Sequence, residues 1–446
     1  MYLGNSTGEH MRKDENALYW IWLAEKFGVA SKEFPSFVAS FDDPYDVYRM
    51  SAEEIEQIDG IKTITKERLA DKSLEVPYKY LKYCQRQGID VIGYTDERYP
   101  ARLRTIENPP VMLYCLGKLP SADQRLCIGM VGTRKMSEYG KRSAYKIAYE
   151  LSAARVLVVS GMALGIDGVC AAAALKAGGE TVAVLGCGLS VVYPKEHARL
   201  MRKIAKNGAV ISEFPPFERP LPNNFPIRNR IISGMSSGVL VVEAPKRSGA
   251  LITASRAISQ GRELFALPGQ VDDATSAGPN ELIQNGANVV LSANDLINHY
   301  DFLYHDTFNF KRLAWATKHS DFDERTLREY GVSDVFYRGR YDAEPETAQD
   351  GGSEEAVTVH SAPAKKSDVS TASSSQAANT PDESILQTLD VKTREVYALI
   401  PDGTVFVPDD IASRGADIRD VITSLTLLEI SGLIISQPGG AYKKQL

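Results

Sequence analysis

The chain has 446 residues, 43% of them hydrophobic and 24% charged, with a net charge of −6. That length suits about two to four domains, and the composition is that of a soluble globular protein able to bury a sizeable core. There is no apolar run of about eighteen residues and no basic-then-apolar amino terminus, so the expectation is a cytoplasmic protein with neither membrane span nor secretory leader. The cysteines Cys84, Cys115, Cys127, Cys170 and Cys187 are scattered without a CxxC pair, and the histidines show no ligand spacing. They read as reduced, buried thiols, with no disulfide frame and no metal site.

Charge is unevenly distributed. Residues 125–300 hold 20 Lys and Arg against 13 Asp and Glu, while the rest of the chain holds 31 against 44. One basic segment inside an acidic chain suits a domain that binds anions.

Residues 1–90 read as a helical domain. Leu18, Tyr19, Trp22 and Leu23 recur at helical spacing over Asn16–Phe27, and further helices are expected around Ser51–Ile58, Lys66–Ala70 and Tyr78–Gln87. The turn Ile58-Asp59-Gly60-Ile61 before Lys66–Ala70 resembles a helix-hairpin-helix, with Lys62 where that motif carries its second glycine. A structural hairpin is the favoured reading. Residues 91–124 are proline-punctuated and read as an extended linker packing on the edge of the following sheet.

From 125 to 300, short apolar runs alternate with helical patterns. Strands are expected at Cys127–Val131, Val156–Ser160, Thr181–Leu185, Ala209–Ser212, Val239–Val242, Glu263–Ala266 and Val289–Leu291. Helices are expected at Glu138–Leu151, Ile166–Ala177, Lys195–Asn207 and Ala250–Gln260. Doubly apolar strands with helical crossovers mean an α/β fold, a Rossmann-like doubly wound and mostly parallel sheet. Residues 301–383 read as a partly disordered acidic tether, most clearly over 341–383, and 301–340 cannot be placed. Residues 384–446 show three helices and a hairpin, the pattern of a winged-helix-like domain.

Five loops at strand ends carry the candidate chemistry. Gly132, Thr133 and Arg134 follow the first core strand and precede a helix, where glycine lets backbone approach an anion and arginine offers a bidentate fork. Ser160, Gly161 and Gly165 form a second such loop, with Asp167 read as a helix cap. Leu185-Gly186-Cys187-Gly188 is a third glycine-rich end, leading to Tyr193-Pro194 and Lys195, which is either a phosphate partner or a surface lysine. In Phe225-Pro226-Ile227-Arg228-Asn229-Arg230, two arginines two apart on a helix diverge, one for phosphate and one for structure. Phe225 reads either as a stacking face or, slightly favoured, as a core anchor. Ser248 and Gly249 open the last helix of the set. Glu243, at the strand end before them, is either a catalytic carboxylate or the holder of a neighbouring arginine. In an open parallel sheet these ends share one crevice.

The order VGTR at 131–134, SGMALGID at 160–167, LGCGL and YPK at 185–195, SEFPP at 212–216, FPIRNRIISG at 225–234, VVEAPKRSGALITA at 241–254, GRELFALPG at 261–269 and ELIQNGA at 281–287 resembles the DNA-processing protein A family (DprA, also called Smf) over about residues 94–298. The resemblance implies a Rossmann-like core between a SAM/helix-hairpin-helix-like domain and a winged helix. It also implies a non-enzymatic, cofactor-free protein that binds single-stranded DNA and helps load RecA in natural transformation, with single-strand binding protein as a further partner. Gly132, Thr133 and Arg134 would then line the phosphate pocket, with Lys195, Arg228 and Arg230 as basic partners. The protein would act as a homodimer through Leu282 and Ile283. Two alternatives stand beside it. One is a nucleotide-processing enzyme of the phosphoribohydrolase kind, although the PGGxGTxxE loop of those proteins is lacking. The other is a duplex-DNA regulator acting through the C-terminal domain, against which the acidic balance of Asp417, Asp420 and Glu429 over Arg419 argues.

Overall fold

The computed structural model describes residues 6–332 apart from position 42, and residues 391–444 apart from 402–403, 416–420, 422–423, 426–427, 430–432 and 438–440. The tether expected over 341–383 and the residues Asp417, Arg419 and Asp420 lie outside the described residues. The chain divides into two units, Met1–Asp350 and Gly351–Leu446.

The first unit is built on nine strands: β1 (Ile89–Gly93), β2 (Met112–Gly117), β3 (Cys127–Val131), β4 (Leu157–Ser160), β5 (Thr181–Val184), β6 (Gly208–Ser212), β7 (Gly238–Val241), β8 (Glu263–Ala266) and β9 (Asn288–Val289). Strands β3 to β7 are buried along their whole length, which is why their sequences are continuous apolar runs. The order across the sheet is β1-β2-β6-β5-β4-β3-β7-β8-β9. All pairs from β6 to β9 are parallel, and β1–β2 and β2–β6 are antiparallel. From β3 the chain runs outward through β4, β5 and β6, then returns to place β7 on the other side of β3. The β3/β7 boundary is therefore the topological switch point, the place where open α/β sheets leave a crevice at their carboxyl ends.

Side chains alternate across the sheet. Ile128 and Met130 join a cluster with helices Glu138–Ala153 and Ile166–Lys176, while Cys127 and Val131 join one with helices Asn224–Met235 and Gly249–Ser259. All five cysteines are buried and free. Burial pushes the thiols of Cys84, Cys115 and Cys127 up to about 12, so they stay protonated and unreactive at neutral pH.

The stretch 91–124, expected to be extended and to join the edge of the sheet, does so as regular strands, supplying β2 and most of β1. Its prolines sit between the strands, where Tyr99, fully buried, donates its hydroxyl to the Pro110 carbonyl at 2.8 Å. The unplaced segment after 300 is helical as far as Tyr330. Helices Phe310–His319 and Glu324–Tyr330 pack on Glu138–Ala153 and Ile166–Lys176, burying Leu313, Ala316, Leu327 and Tyr330. Ser320 donates to the buried Glu150 carboxylate at 2.7 Å, which satisfies a charged group that would otherwise be costly there.

The amino-terminal helices form around Trp20, Trp22 and Leu23 on Ser6–Phe27. Gly60, at φ +80°, turns the chain between Ala52–Glu56 and Thr63–Ala70. The Lys62 amide and Thr65 hydroxyl both donate to Glu33 at 2.9 Å. A helix-hairpin-helix offers that amide to phosphate. Here a carboxylate already holds it, which favours the structural reading. Among the described residues no helix is long and apolar enough to cross a membrane. In the second unit, β10 (Val405–Phe406), β11 (Ile434–Gln437) and β12 (Ala441–Lys444) form an antiparallel sheet in the order β10-β12-β11. Phe406, Ile411, Leu425 and Leu428 form its core.

Candidate nucleic-acid interface

The carboxyl ends of β3, β4, β5 and β7 form one rim, and their loops are bonded to one another. The Thr133 amide donates to the Glu243 carbonyl at 2.7 Å, and the Ile166 amide to the Thr133 carbonyl at 3.2 Å. Gly165 makes the second bond possible. It sits at φ +76°, and a Cβ there would lie 2.3 Å from the Thr133 carbonyl oxygen. Gly165→Ala is therefore expected to destabilise the fold by about 1–3 kcal/mol and to displace the Arg134 loop. Thermal melting reads the first effect and loss of oligonucleotide binding the second. An unchanged melting temperature would refute this reading of the loop.

Arg134 is exposed at the top of this loop. Its guanidinium lies 5.4 Å from the centroid of the Phe225 ring, and that of Arg228 lies 5.9 Å from the same ring. Phe225 is half-buried, packs over Gly186, and stands 5.4 Å from Tyr193 at 37°. So the two readings of Phe225 merge. One part of the ring anchors the β5 loop, and the remainder is open beside a free arginine. Tyr193 was not singled out in the sequence, because its place over Phe225 depends on how the 186–194 loop folds. Its position two residues before Lys195 was the only available signal. Lys195 is exposed on a short turn after it, and among the described residues it has no partner.

The two arginines of 228–230 diverge, as their spacing requires. Arg228 is 4% exposed and points under the rim. It donates to the carbonyls of Gly161, at 2.8 Å, and Val184, and to the Asn229 side chain at 3.2 Å. A Cβ at Gly161 would lie 2.5 Å from the guanidinium and would displace it. Burial draws the Arg228 pKa down to about 10, with nearby Asp167 pulling it up. Arg228 thus stays charged at neutral pH and adds positive potential beneath Phe225, with its Nε and Nη1 donors occupied by protein. Arg230 does not reach the rim. It is 2% exposed and ion-paired with Glu213 at 2.6 Å, a pair whose carboxylate also accepts the Ala30 amide at 3.0 Å. The phosphate role expected of Arg230 is replaced by a structural one, because the helix Asn224–Met235 turns it toward β6.

Several other expected groups are engaged within the protein. Ser160 is fully buried, accepting the Met162 amide at 3.4 Å. Asp167 accepts the Gly161 amide at 2.9 Å and the Ala163 amide at 3.5 Å, so it steadies the loop before its helix, whose N-cap is Gly165. Burial raises the Asp167 pKa, opposed by Arg228 and these amides. Glu243 holds no arginine. It is 1% exposed, accepts the Ser137 amide at 2.9 Å and hydroxyl, and the Thr275 hydroxyl at 3.2 Å. Burial raises its pKa against the pull of those donors. It plugs the β3/β7 crevice where a substrate would have to enter.

On the far side of that crevice, Ser248 caps helix Gly249–Ser259 by accepting the Ala250 amide, leaving an exposed helix start. Asn229 ties it to the Arg228 loop by donating to the Gly249 carbonyl at 3.3 Å. Lys246 and Arg247, exposed just before the cap and without ion-pair partners among the described residues, are rim cations that sequence reading quoted without assigning. Lys135 is another. The rim that remains is shallow, cationic and partly aromatic. It can hold a phosphate chain and offer a ring to a base.

Residues 90–301 match the family DNA recombination-mediator protein A. Over 244 residues the chain is 39% identical to the DNA processing protein DprA of Bacillus subtilis (strain 168), a match spanning 53% of this chain and 82% of the relative. The chain belongs to the DNA-processing protein A family. The DprA of Streptococcus pneumoniae (strain ATCC BAA-255 / R6) is 43% identical over 207 residues, 46% of this chain and 73% of that one. The X-ray structure of DprA from Streptococcus pneumoniae superposes with a TM-score of 0.53 at 33% identity, covering 67% of this chain and 98% of that chain. The four strand-end loops of the rim and helix Asn224–Met235 fall inside the stretch that matches the DprA family, whereas helices Phe310–His319 and Glu324–Tyr330 lie beyond it.

Proposed function

We propose that this protein binds single-stranded DNA along the strand-end rim, does no bond-breaking chemistry of its own, and serves recombination during transformation by passing the strand to RecA. The observation that carries this is the exposed Arg134 guanidinium over the half-open ring of Phe225. An arginine takes a phosphate of any sequence, and a ring stacks any unpaired base. Duplex bases are already stacked, so the ring gains nothing from them. Gly132, Thr133, Gly161, Gly165, Arg228 and Asn229 build and charge the rim, while Arg134, Lys195, Ser248 and Gly249 face the strand with Lys135, Lys246 and Arg247. The enzyme reading loses its candidate, because Glu243 is enclosed by Ser137 and Thr275. Leu282 and Ile283 sit half-buried on helix Ala277–Gln284, which precedes edge strand β9, and are assigned here to a homodimer contact.

The test compares a thymidine oligonucleotide with a duplex of equal length, using the full chain and a chain ending at residue 383. Single-strand binding is expected to be tighter by about tenfold or more, to weaken steeply with salt, and to survive removal of 384–446. Equal affinity for duplex, or loss of single-strand binding in the shortened chain, refutes the proposal in favour of the C-terminal duplex reading.

A further inference from the structure

At the opposite end of the sheet, where β3, β4 and β5 begin, a cavity of about 540 Å³ opens to solvent beside helix Phe310–His319. Three arginines line it: Arg125 just before β3, Arg155 just before β4, and Arg312 from the covering helix. Arg125 is paired with Glu180 at 2.6 Å, and Arg312 donates to the Ala177 carbonyl at the end of helix Ile166–Lys176. Glu180 is the sole carboxylate of the lining, so the cavity keeps an excess of positive charge.

Two features have no use within the protein. The Arg155 guanidinium is exposed and without a partner among the described residues, on a backbone at φ +72° that L residues rarely adopt. Ser152, also in the lining, is 2% exposed, and its hydroxyl has no hydrogen-bond partner among the described residues. A buried hydroxyl left unpaired is costly, and the guanidinium groups of the same lining are usual partners of an oxyanion.

We propose that this cavity is a second anion site, independent of the rim, that takes the phosphates of a nucleoside diphosphate. The volume exceeds what a single phosphate needs and lies in the range of small-ligand pockets. Arg155 and Arg312 would grip the phosphate oxygens, with the Ser152 hydroxyl as a further donor. The same phosphate chemistry is carried by the 5′-phosphate end of a DNA strand, and the experiment separates the two sources.

Pyrophosphate, the probe, is titrated calorimetrically into the full-length protein and the variants Arg155→Gly, Ser152→Ala and Arg134→Ala. Saturable binding is expected for the parent protein, with a component weakened about tenfold or more by Arg155→Gly and less by Ser152→Ala, and that component persists when the rim contact is removed in Arg134→Ala. Glycine accepts φ +72°, so Arg155→Gly is expected to hold or raise the melting temperature, which separates loss of a ligand group from loss of fold. Competition by ADP, and by a 5′-hydroxyl oligonucleotide no worse than by its 5′-phosphorylated form, assigns the site to nucleotides. Competition by the 5′-phosphorylated strand alone overturns that in favour of strand ends. No saturable binding, or binding lost with Arg134→Ala and kept with Arg155→Gly, overturns the site altogether, the latter placing the anion on the rim.

Discussion

Arg134→Ala is expected to weaken single-stranded DNA binding about tenfold to a hundredfold, nearly equally for all sequences. The change removes one phosphate contact, so the slope of log affinity against log salt should fall by roughly 0.7. It also uncovers Phe225 on the side the guanidinium occupies, at 5.4 Å from the ring centroid. The side chain is exposed and its contact is a surface one, so the melting temperature should hold. Arg134→Lys keeps the charge but loses the planar fork and should fall between the two. Anisotropy titrations of a labelled oligonucleotide over a series of salt concentrations read all of this. Unchanged affinity would remove the rim as the site of binding.

Glu213→Ala acts on stability instead. It strands a guanidinium that is 2% exposed and whose Nε and Nη1 already lack partners, and it takes the acceptor from the Ala30 amide. Breaking a buried pair in this way costs about 3–5 kcal/mol, a fall in melting temperature of roughly 6–15 °C. Because Ala30 lies in the turn after helix Ser6–Phe27 and Glu213 follows β6, the variant should also expose the chain near Ala30 to limited proteolysis. Replacing both partners, Glu213→Leu with Arg230→Met, should recover much of the loss, since no buried charge is then left unpaired and only the Ala30 amide lacks its acceptor. The double variant should still bind DNA, in contrast to Arg134→Ala. If it melts normally and no longer binds, then Arg230 belongs to the interface after all.

The two arginines show how far the sequence could be read. Their spacing alone says that they diverge, but which one leaves the rim altogether is decided by Glu213, a partner seventeen positions away from Arg230 along the chain. The core strands were legible because burial on both faces leaves continuous apolar runs. Cys127–Val131 and Glu263–Ala266 match to the residue. Strands β1 and β2 were legible only as an extended stretch at the edge of the sheet, because the prolines between them read as a linker and their pairing is antiparallel to the rest. The glycine loops were recognisable as close approaches. Their partners turned out to be protein groups, Arg228 at Gly161 and the Thr133 carbonyl at Gly165, and these long-range contacts have no local signature. Lys246 and Arg247 were visible as a basic pair, yet only the cap at Ser248 shows that they flank a helix start. After residue 300 the apolar periodicity is sparse, and the helices there are held by packing on Glu138–Ala153.

The bonds that run from Glu243 to Thr133, from Thr133 to Ile166 and from Arg228 to Gly161 fasten the strand-end loops before any polymer arrives. Such an edge is preorganised, so the conformational entropy of association falls on the incoming strand and hardly at all on the protein. Affinity should then rise with strand length until the cationic edge is filled, with arrival governed by charge and with little rearrangement of the backbone that receives it.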